Sequence, residues 1–210
     1  MKIYENAMRE INYEREQYNL ANSLIPLKTV SGKDCLDVGC GMGEYVELLN
    51  KNGAKAIGLE GFQPFVTSLV ERNIPHKVCN LEHSPFAFED NSFDIVYLLD
   101  VIEHVFDTEH LFTEIRRVLK KNGLIVLSTP NYSHISYRIK SLKGRFDLFT
   151  YKSRHKKFYN TISFVKEAQQ YGIIERQIFQ NRWGDFCYLS RVFPNCFSMY
   201  HGILIKNAKQ

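Results

Sequence analysis

The sequence predicts a doubly wound α/β fold, with a sheet of about seven strands, mostly parallel, and helices on both faces. Three observations carry this prediction. A buried strand at residues 34–38 runs into a glycine turn, amphipathic helices alternate with short apolar strands, and residues 124–127 form the apolar run of a strand covered on both faces. With 210 residues and 44% hydrophobic content the chain can fill one core, so we expect a single domain over residues 1–210.

The other elements follow from the spacing of apolar residues and from glycine stops. An amphipathic helix is predicted at residues 2–22, as part of a helical cap over residues 1–30. We expect a strong helix at 108–120 to be closed by Asn122-Gly123. Further strands are predicted at 54–60, 76–80, 95–100, 124–130, 173–179 and 202–205, and further helices at 45–53, 63–73 and 163–171.

Two segments lie outside this alternation. Residues 131–160, the basic segment, form an insertion between sheet elements, and from Arg138 to Lys157 they carry eight basic side chains against one acid. The formal net charge of +4 therefore combines a strongly basic stretch with an otherwise acidic chain. Residues 180–200, the aromatic segment, either line a ligand pocket or pack in the core.

The composition favours a soluble protein of a reducing compartment. Charged residues scattered through the first thirty positions exclude the apolar core of a secretory signal, and no later stretch reaches the length of a membrane span. Five cysteines with no pair at Cys-x-x-Cys spacing indicate reduced, inert thiols. We expect a cytoplasmic protein with no membrane insertion, and the sequence predicts no oligomeric state.

The glycine turn after the first strand indicates the kind of ligand. Its pattern is Gly39-x-Gly41-x-Gly43, whereas a dinucleotide site needs Gly-x-Gly-x-x-Gly so that a pyrophosphate rests on the helix N-terminus. Asp37 precedes the turn, and an acid there opposes a pyrophosphate but suits a ligand with an ammonium group. Glu60 ends the second strand, where a carboxylate can accept hydrogen bonds from both hydroxyls of a ribose.

The stretch Leu36-Asp37-Val38-Gly39-Cys40-Gly41-Met42-Gly43 resembles the first motif of the class I S-adenosylmethionine-dependent methyltransferases. The resemblance covers roughly residues 30–180 and implies a Rossmann-like fold with S-adenosylmethionine as the methyl donor. It also implies that Arg9, Tyr13 or Tyr18 closes over the cofactor. Asn80 departs from the family, which usually carries an acid there to recognise adenine, although an amide can also pair with adenine. The implied cofactor-binding residues are Asp37, Gly39, Cys40, Gly41, Gly43, Glu60, Gly61, Phe62, Asn80, Leu81, Leu99 and Asp100.

A second polar group follows the fourth strand, at the edge where open parallel sheets bind ligands. In a helical turn Asp100, Glu103 and His104 would share one face, because three and four residues separate them. They are candidate ligands of a divalent metal, which we do not favour; the alternatives are metal-free substrate positioning or proton transfer, and structural capping. Among the methyltransferases that this pattern resembles, some are metal-free and others are linked to a metal. His104 is therefore also a candidate catalytic residue.

The other candidate catalytic residue is His155, in the basic segment. Its surroundings resemble a bacterial subgroup of these enzymes tied to surface-sugar or small-metabolite biosynthesis, in which a histidine precedes an aromatic pair and a helix cap. These features correspond here to Phe158, Tyr159 and Asn160 or Thr161. We expect His155 to face the substrate pocket, where it either accepts the proton of a hydroxyl nucleophile or only fixes the segment by hydrogen bonds.

Three functions remain open from the sequence. The first is O-methylation of an anionic small molecule, such as a nucleotide-linked or surface-polysaccharide sugar, because the basic segment suits an anionic group. The second is ribose methylation of RNA, with or without a metal, which the modest net charge and the lack of a separate RNA-binding module disfavour. The third is a non-catalytic protein that binds the cofactor or a partner. We favour the first.

Overall fold

The computed structural model of the protein describes residues 16–144, 155–180 and 192–207. It forms one seven-stranded sheet in the order β3-β2-β1-β4-β5-β7-β6, in which β7 runs antiparallel to both of its neighbours and the first five strands pair in parallel. The predicted doubly wound, mostly parallel sheet is confirmed. The strands are β1 (Asp34–Val38), β2 (Lys55–Glu60), β3 (His76–Val78), β4 (Phe93–Leu99), β5 (Leu119–Pro130), β6 (Ile173–Gln180) and β7 (Tyr200–Lys206).

Helices cover both faces of the sheet. Helix α1 is described at residues 16–24, within the predicted N-terminal cap; Arg9 and Tyr13 lie outside the described residues. No helix among the described residues is long and apolar enough to cross a membrane. The other helices are α2 (Glu44–Lys51), α3 (Gln63–Glu71), α4 (Thr108–Val118), α5 (Ile135–Leu142), α6 (Thr161–Ala168) and α7 (Pro194–Phe197).

The alternation of side chains along the strands produces two apolar cores. In β1, Leu36 belongs to one core and Cys35 to the other, and in β4 the neighbours Val96 and Tyr97 divide in the same way. Successive side chains of a strand point to opposite faces, so a strand that is apolar throughout needs helices on both sides. Helices α4 and α6 cover the first face, and α1, α2 and α3 cover the second.

The strand order places a ligand-binding crevice beside β1. From β1 the chain builds outward to β2 and β3, and then returns to the other side of β1 to form β4. At such a reversal the loops after neighbouring strands diverge, which leaves a crevice outside the carboxyl ends of the strands. The glycine turn after β1, Glu60 at the end of β2 and the loop after β4 all lie at this edge.

Helix α4 ends at Val118, two residues before its predicted end, and β5 begins at Leu119. The reason is that Leu119 is buried and pairs with Phe93 of β4. The extended backbone then carries Lys120 between two acids, where its Nζ lies 2.6 Å from Asp34 and 3.0 Å from Asp94. Strand pairing at the beginnings of β4 and β5 therefore overrides the helical pattern of the sequence.

The basic and aromatic segments are described in part. The basic segment contains α5, and its residues 155–160 lead into α6, which begins at Thr161 rather than at Ser163. Asn160 caps this helix, because its side chain accepts from the Ser163 amide at 2.9 Å while the Ser163 hydroxyl accepts from the Asn160 amide at 3.0 Å. Residues 145–154 of the basic segment and residues 181–191 of the aromatic segment lie outside the described residues.

Three of the described cysteines are buried in the way expected of inert thiols. Cys35, Cys40 and Cys79 are buried and free of disulfide bonds. Burial, reinforced by the nearby Asp94 carboxylate, raises the pKa of the Cys35 thiol to about 12, and burial also raises that of Cys40. A thiol that stays protonated at neutral pH is a poor nucleophile and metal ligand.

Gly43 is expected to be far less tolerant of alanine than Gly32, although both adopt left-handed backbone angles, with φ of 80° and 72°. A Cβ at Gly43 would lie 2.6 Å from the Leu69 side chain of α3, whereas a Cβ at Gly32 would meet no atom within 4 Å. We expect Gly32→Ala to cost about 1 kcal/mol through backbone strain alone. Gly43→Ala adds a steric clash, so it should lower the free energy of unfolding by about 2–4 kcal/mol, as measured by urea unfolding. Equal losses for the two variants would contradict this packing.

Candidate functional site

The glycine turn joins β1 to α2 in a conformation that side chains disfavour. Gly39, Gly41 and Gly43 have φ of 71°, 55° and 80°. The amides of Gly39 and Cys40 donate to the Leu59 carbonyl of β2 at 2.8 and 3.0 Å, which fixes the turn against the neighbouring strand. A Cβ at Gly39 would lie 2.7 Å from the Val101 side chain, so the turn also packs closely on the loop after β4. Glycine is thus required by space as well as by backbone angle.

Glu60 is held at the end of β2 by the turn and by its own loop. Its carboxylate accepts from the amide of Gly41 at 2.9 Å, that of Gly61 at 2.8 Å and that of Phe62 at 2.7 Å. The residue is only 8% exposed. A carboxylate offers about four acceptor positions, so three backbone donors fix its orientation and leave acceptor capacity for a ligand. Glu60 therefore lies where a vicinal diol could be bound.

Asp37 is a buried acid that has no counter-charge among the residues the structure describes. It is 4% exposed, and no side chain or amide among the described residues donates a hydrogen bond to its carboxylate. Burial, together with the nearby Glu60 carboxylate, raises the pKa of Asp37 to about 8. An ionised acid in such a position is costly unless a cation pairs with it. This environment suits the ammonium group that the sequence predicts for the ligand.

Asp37 lines a small cavity between the glycine turn and α1. Gly39, Cys40, Gly41 and Leu99 also line it, and α1 adds Gln17 and Tyr18. The cavity holds about 50 Å³, whereas sites for ligands of drug size span about 300–1,000 Å³. A nucleoside-sized ligand therefore needs α1 to shift or its side chains to turn outward.

The α1 side of this cavity was predicted only in part. Tyr18 lies over the cavity, as one of the three residues expected to close over the cofactor. Gln17 was missed, although it is buried and its amide donates a hydrogen bond to the Asp100 carboxylate. No local motif marks a glutamine for this role, since its partner is 83 residues away in the chain.

The loops after β2 and β3 hold the remaining predicted cofactor residues at the same edge of the sheet. Gly61 and Phe62 follow Glu60, and Phe62 is 38% exposed. Asn80 is exposed, and its side-chain oxygen accepts from the amide of Glu82 at 3.0 Å, while Leu81 is half-buried.

The prediction that Asp100, Glu103 and His104 share one helical face is wrong. Asp100 has a φ of 55° and precedes a single 3-10 turn formed by Ile102–His104. Its carboxylate accepts from the Ser128 hydroxyl at 2.7 Å and from Gln17 of α1, so it is turned toward β5 and α1. The left-handed residue redirects the chain, and a helical spacing rule does not apply across it.

His155 takes the place of Asp100 beside Glu103 and His104. One nitrogen or carboxylate oxygen from each of these three side chains lies within 4.8 Å of the others. Glu103 is completely buried; one oxygen accepts from the Thr129 hydroxyl at 3.2 Å, and the other has no partner among the described residues. Burial, and then the Asp100 charge, raise the pKa of Glu103. We call these three residues the acid–histidine cluster.

The imidazole of His155 is neutral at neutral pH. Its ring lies 4.6 Å from that of His104, and burial together with His104 lowers its pKa to about 4. Nδ1 of His155 forms a hydrogen bond with the Tyr132 hydroxyl. If Nδ1 carries the proton and donates to Tyr132, Nε2 presents a lone pair that can accept a proton or bind a metal ion. The structure thus brings together the two candidate catalytic histidines that the sequence predicted separately.

Several basic side chains of the basic segment are engaged by the protein itself. Lys156 pairs with Glu82, and Lys157 Nζ donates to the Thr108 hydroxyl at 3.0 Å. Arg138 donates to the Ser133 carbonyl at 2.7 Å. The expectation that this stretch meets an anion therefore does not rest on Lys156 or Lys157, whose partners lie on the protein.

Comparisons with known proteins agree with this geometry. Residues 36–127 match the model of a family described as a methyltransferase domain. The chain is 31% identical over 125 residues to a mitochondrial ubiquinone biosynthesis O-methyltransferase of Bos taurus, covering 54% of this chain and 33% of that protein. It is 30% identical over 117 residues to a tRNA U34 carboxymethyltransferase of Nautilia profundicola, covering 51% and 38% of the two chains.

The fold has close counterparts among solved structures. A crystal structure of an S-adenosylmethionine-dependent methyltransferase from Mesorhizobium loti aligns with a TM-score of 0.69 and 16% sequence identity, covering 91% of this chain and 97% of that one. At that identity the likeness concerns the fold. The chain spans about a third of the length of the first curated relatives it matches.

Proposed function

We propose, from the premise that this chain belongs to the class I S-adenosylmethionine-dependent methyltransferases, that it transfers a methyl group to a hydroxyl oxygen of an anionic small molecule. Nucleotide-linked sugars and surface-polysaccharide sugars are the acceptor classes we favour, and we propose that the protein works in the cytoplasm. The observation that carries the methyl-donor half is Asp37, a buried acid with no counter-charge among the described residues. It lies near Glu60, which accepts a hydrogen bond from Gly41 of the glycine turn.

The residues of the crevice fit S-adenosylmethionine. This cofactor supplies an electrophilic methyl group on a positively charged sulfur. Asp37 offers the anion for the amino group, and Glu60 offers acceptor positions for the ribose hydroxyls. Asn80 and Leu81 follow β3, where we propose that they contact adenine. Because glycine has no side chain, the cofactor can approach the backbone of the turn closely.

The acceptor side would be formed by the acid–histidine cluster. A hydroxyl is a poor nucleophile until its proton is removed, and His155 Nε2 would accept that proton when Nδ1 donates to Tyr132. A pKa of about 4 leaves the imidazole unprotonated but weakly basic, so the proton would move to it as the methyl group is transferred and not before. The side chains of His104 and Glu103 lie next to His155 and would form the neighbouring wall of the acceptor site. Alignment of the hydroxyl with the methyl group supplies most of the remaining rate, because both reactants are held in one crevice.

A divalent cation is the alternative for this cluster that we do not favour. Glu103, His104 and His155 would hold it, and carboxylate and imidazole suit Mn²⁺, Fe²⁺ or Zn²⁺. A bound cation would lower the pKa of the acceptor hydroxyl. Asp100, predicted as a ligand from the sequence, is outside this set of three.

The relatives support an oxygen acceptor and keep RNA as the second candidate. One relative is named for O-methylation in ubiquinone biosynthesis, and another is named as a tRNA U34 carboxymethyltransferase. The basic segment suits RNA phosphates as well as a sugar nucleotide. We favour the small molecule because the formal net charge of +4 is modest for a protein that binds RNA.

Mass spectrometry of methyl transfer separates these functions. The protein is incubated with S-adenosylmethionine and a panel of nucleotide-linked sugars and short RNAs, with and without EDTA. We expect a methylated sugar and no methylated RNA, at a rate that EDTA leaves unchanged. Methylation of RNA alone would overturn the small-molecule proposal, and a rate lost in EDTA and restored by Mn²⁺ would establish the metal. Cofactor binding without any methylated product across the panel would favour the non-catalytic alternative.

A further inference from the structure

A partly buried ion pair links two loops that are distant in sequence. Lys156 Nζ donates to the Glu82 carboxylate, 74 residues away, and the two side chains are 33% and 16% exposed. The same ammonium lies 4.6 Å from the centre of the Phe106 ring. Pairs at this depth are less screened than fully exposed ones and hold their side chains in one geometry.

Glu82 anchors this pair on the cofactor side. Its backbone amide donates to the Asn80 side chain at 3.0 Å, so it closes the turn that we propose contacts adenine. Its carboxylate also accepts from the amides of Phe106 at 3.1 Å and Asp107 at 3.2 Å. Partial burial opposes the charge, but the hydrogen bonds from Lys156 and from these two amides lower the pKa of Glu82. The carboxylate is therefore ionised at neutral pH.

Lys156 anchors the pair on the acceptor side. Its backbone amide donates to the Glu103 carbonyl at 2.7 Å, and the Lys157 amide donates to the same oxygen at 3.0 Å. These two bonds attach the residues after His155 to the turn that carries Glu103 and His104. The position of the His155 imidazole in the acid–histidine cluster thus depends on where this short stretch is held.

We propose that the Glu82–Lys156 ion pair couples cofactor binding to the position of His155, which makes Glu82 a positioning residue for the acceptor side. The inference rests on the proposed cofactor site. A ligand that orders the turn containing Asn80 also fixes Glu82, and Glu82 then restrains Lys156 and the residues attached to it. Two sites share coupling free energy when binding at one orders an element on which the other depends.

Hydrogen exchange with S-adenosylhomocysteine as the probe tests this coupling without an acceptor. In the unchanged protein we expect the probe to slow amide exchange at residues 39–43 and at residues 155–160, each by about threefold or more. In Glu82→Gln, protection of 39–43 should persist while protection of 155–160 is lost. Lys156→Met should behave like Glu82→Gln, and Lys156→Arg should retain protection at both places.

Matched variants and distinct outcomes keep the test specific. Glu89→Gln, at an exposed acid, should match the unchanged protein. Protection of 155–160 that is equal in Glu82→Gln and the unchanged protein would overturn the inference, as would protection confined to 39–43 in the unchanged protein. Absence of protection at 39–43 in the unchanged protein would instead contradict the proposed cofactor site, and the inference with it.

Discussion

Asp37→Asn is expected to weaken S-adenosylhomocysteine binding about 10- to 100-fold at pH 7.5, while it stabilises the ligand-free protein. The loss of affinity follows from removal of the only charge we assign to the ligand's ammonium group, since a charge-assisted hydrogen bond contributes about 1.5–3 kcal/mol. The gain in stability follows because Asp37 is buried with no counter-charge among the described residues, and such an acid opposes folding once it ionises. The ionised Asp37 carboxylate therefore strengthens ligand binding but lowers the stability of the ligand-free protein.

The stability effect has a defined pH window. The pKa of Asp37 is about 8 in the folded protein against an ordinary value of 3.8. Between these values the folded state holds a proton that the unfolded state has released, so the free energy of unfolding falls as pH rises from about 4 to 8 and then levels off. Asp37→Asn lacks this fall. The variant should therefore gain about 2–5 kcal/mol relative to the unchanged protein by pH 8.

Two measurements check the Asp37 prediction. Urea unfolding at several pH values gives the stability difference, and calorimetric titration gives the affinity. At pH 7 binding of the ammonium should release close to one proton from Asp37, seen as a difference in heat between Tris and phosphate buffers, and Asp37→Asn should release none. An affinity unchanged in Asp37→Asn would show that the ammonium group is bound elsewhere.

His155→Ala is expected to lower the turnover of the acceptor identified in the panel about a hundredfold to ten-thousandfold, the usual contribution of a proton-accepting side chain. The affinity for S-adenosylhomocysteine should change by less than about threefold. His155 belongs to the acid–histidine cluster and does not line the cavity beside Asp37. Tyr132→Phe should reduce turnover less, since the imidazole remains but loses the partner of its Nδ1.

A histidine outside the crevice provides the control. His110 on α4 is half-buried, and its ring forms a hydrogen bond with the Ser84 carbonyl at 3.3 Å. His110→Ala should keep turnover within about threefold of the unchanged protein. Normal turnover in His155→Ala would make His155 a structural residue that fixes the basic segment, which is the alternative left open by the sequence.

The arrangement of the proposed cofactor-binding residues could be predicted because its determinants are local. The glycine spacing, Asp37 and Glu60 lie within or next to consecutive elements, and parallel pairing of β1 with β2 brings the ends of both strands together. The positions of these residues could therefore be inferred from the chain alone. Their electrostatics could not, because the raised pKa of Asp37 depends on burial under α1 as well as on Glu60.

The sequence named Glu103, His104 and His155 as candidate residues but could not give the arrangement of the acid–histidine cluster. His155 joins Glu103 through backbone bonds from the next two residues to the Glu103 carbonyl, contacts that no sequence spacing encodes. Asp100 leaves the set because a left-handed backbone angle turns it toward Gln17 and Ser128. Likewise, the sequence shows Lys156 only as one of several basic residues in the basic segment. Its ion pair with Glu82 depends on the tertiary structure.

A crystal structure of the protein with S-adenosylhomocysteine shows whether Asp37 and Glu60 bind the methyl donor. We predict that the ligand occupies the crevice between the glycine turn and α1, with its amino group on the Asp37 carboxylate and its ribose hydroxyls on Glu60. A ligand bound away from these two carboxylates, or one whose amino group faces solvent while Asp37 stays buried, would contradict the account.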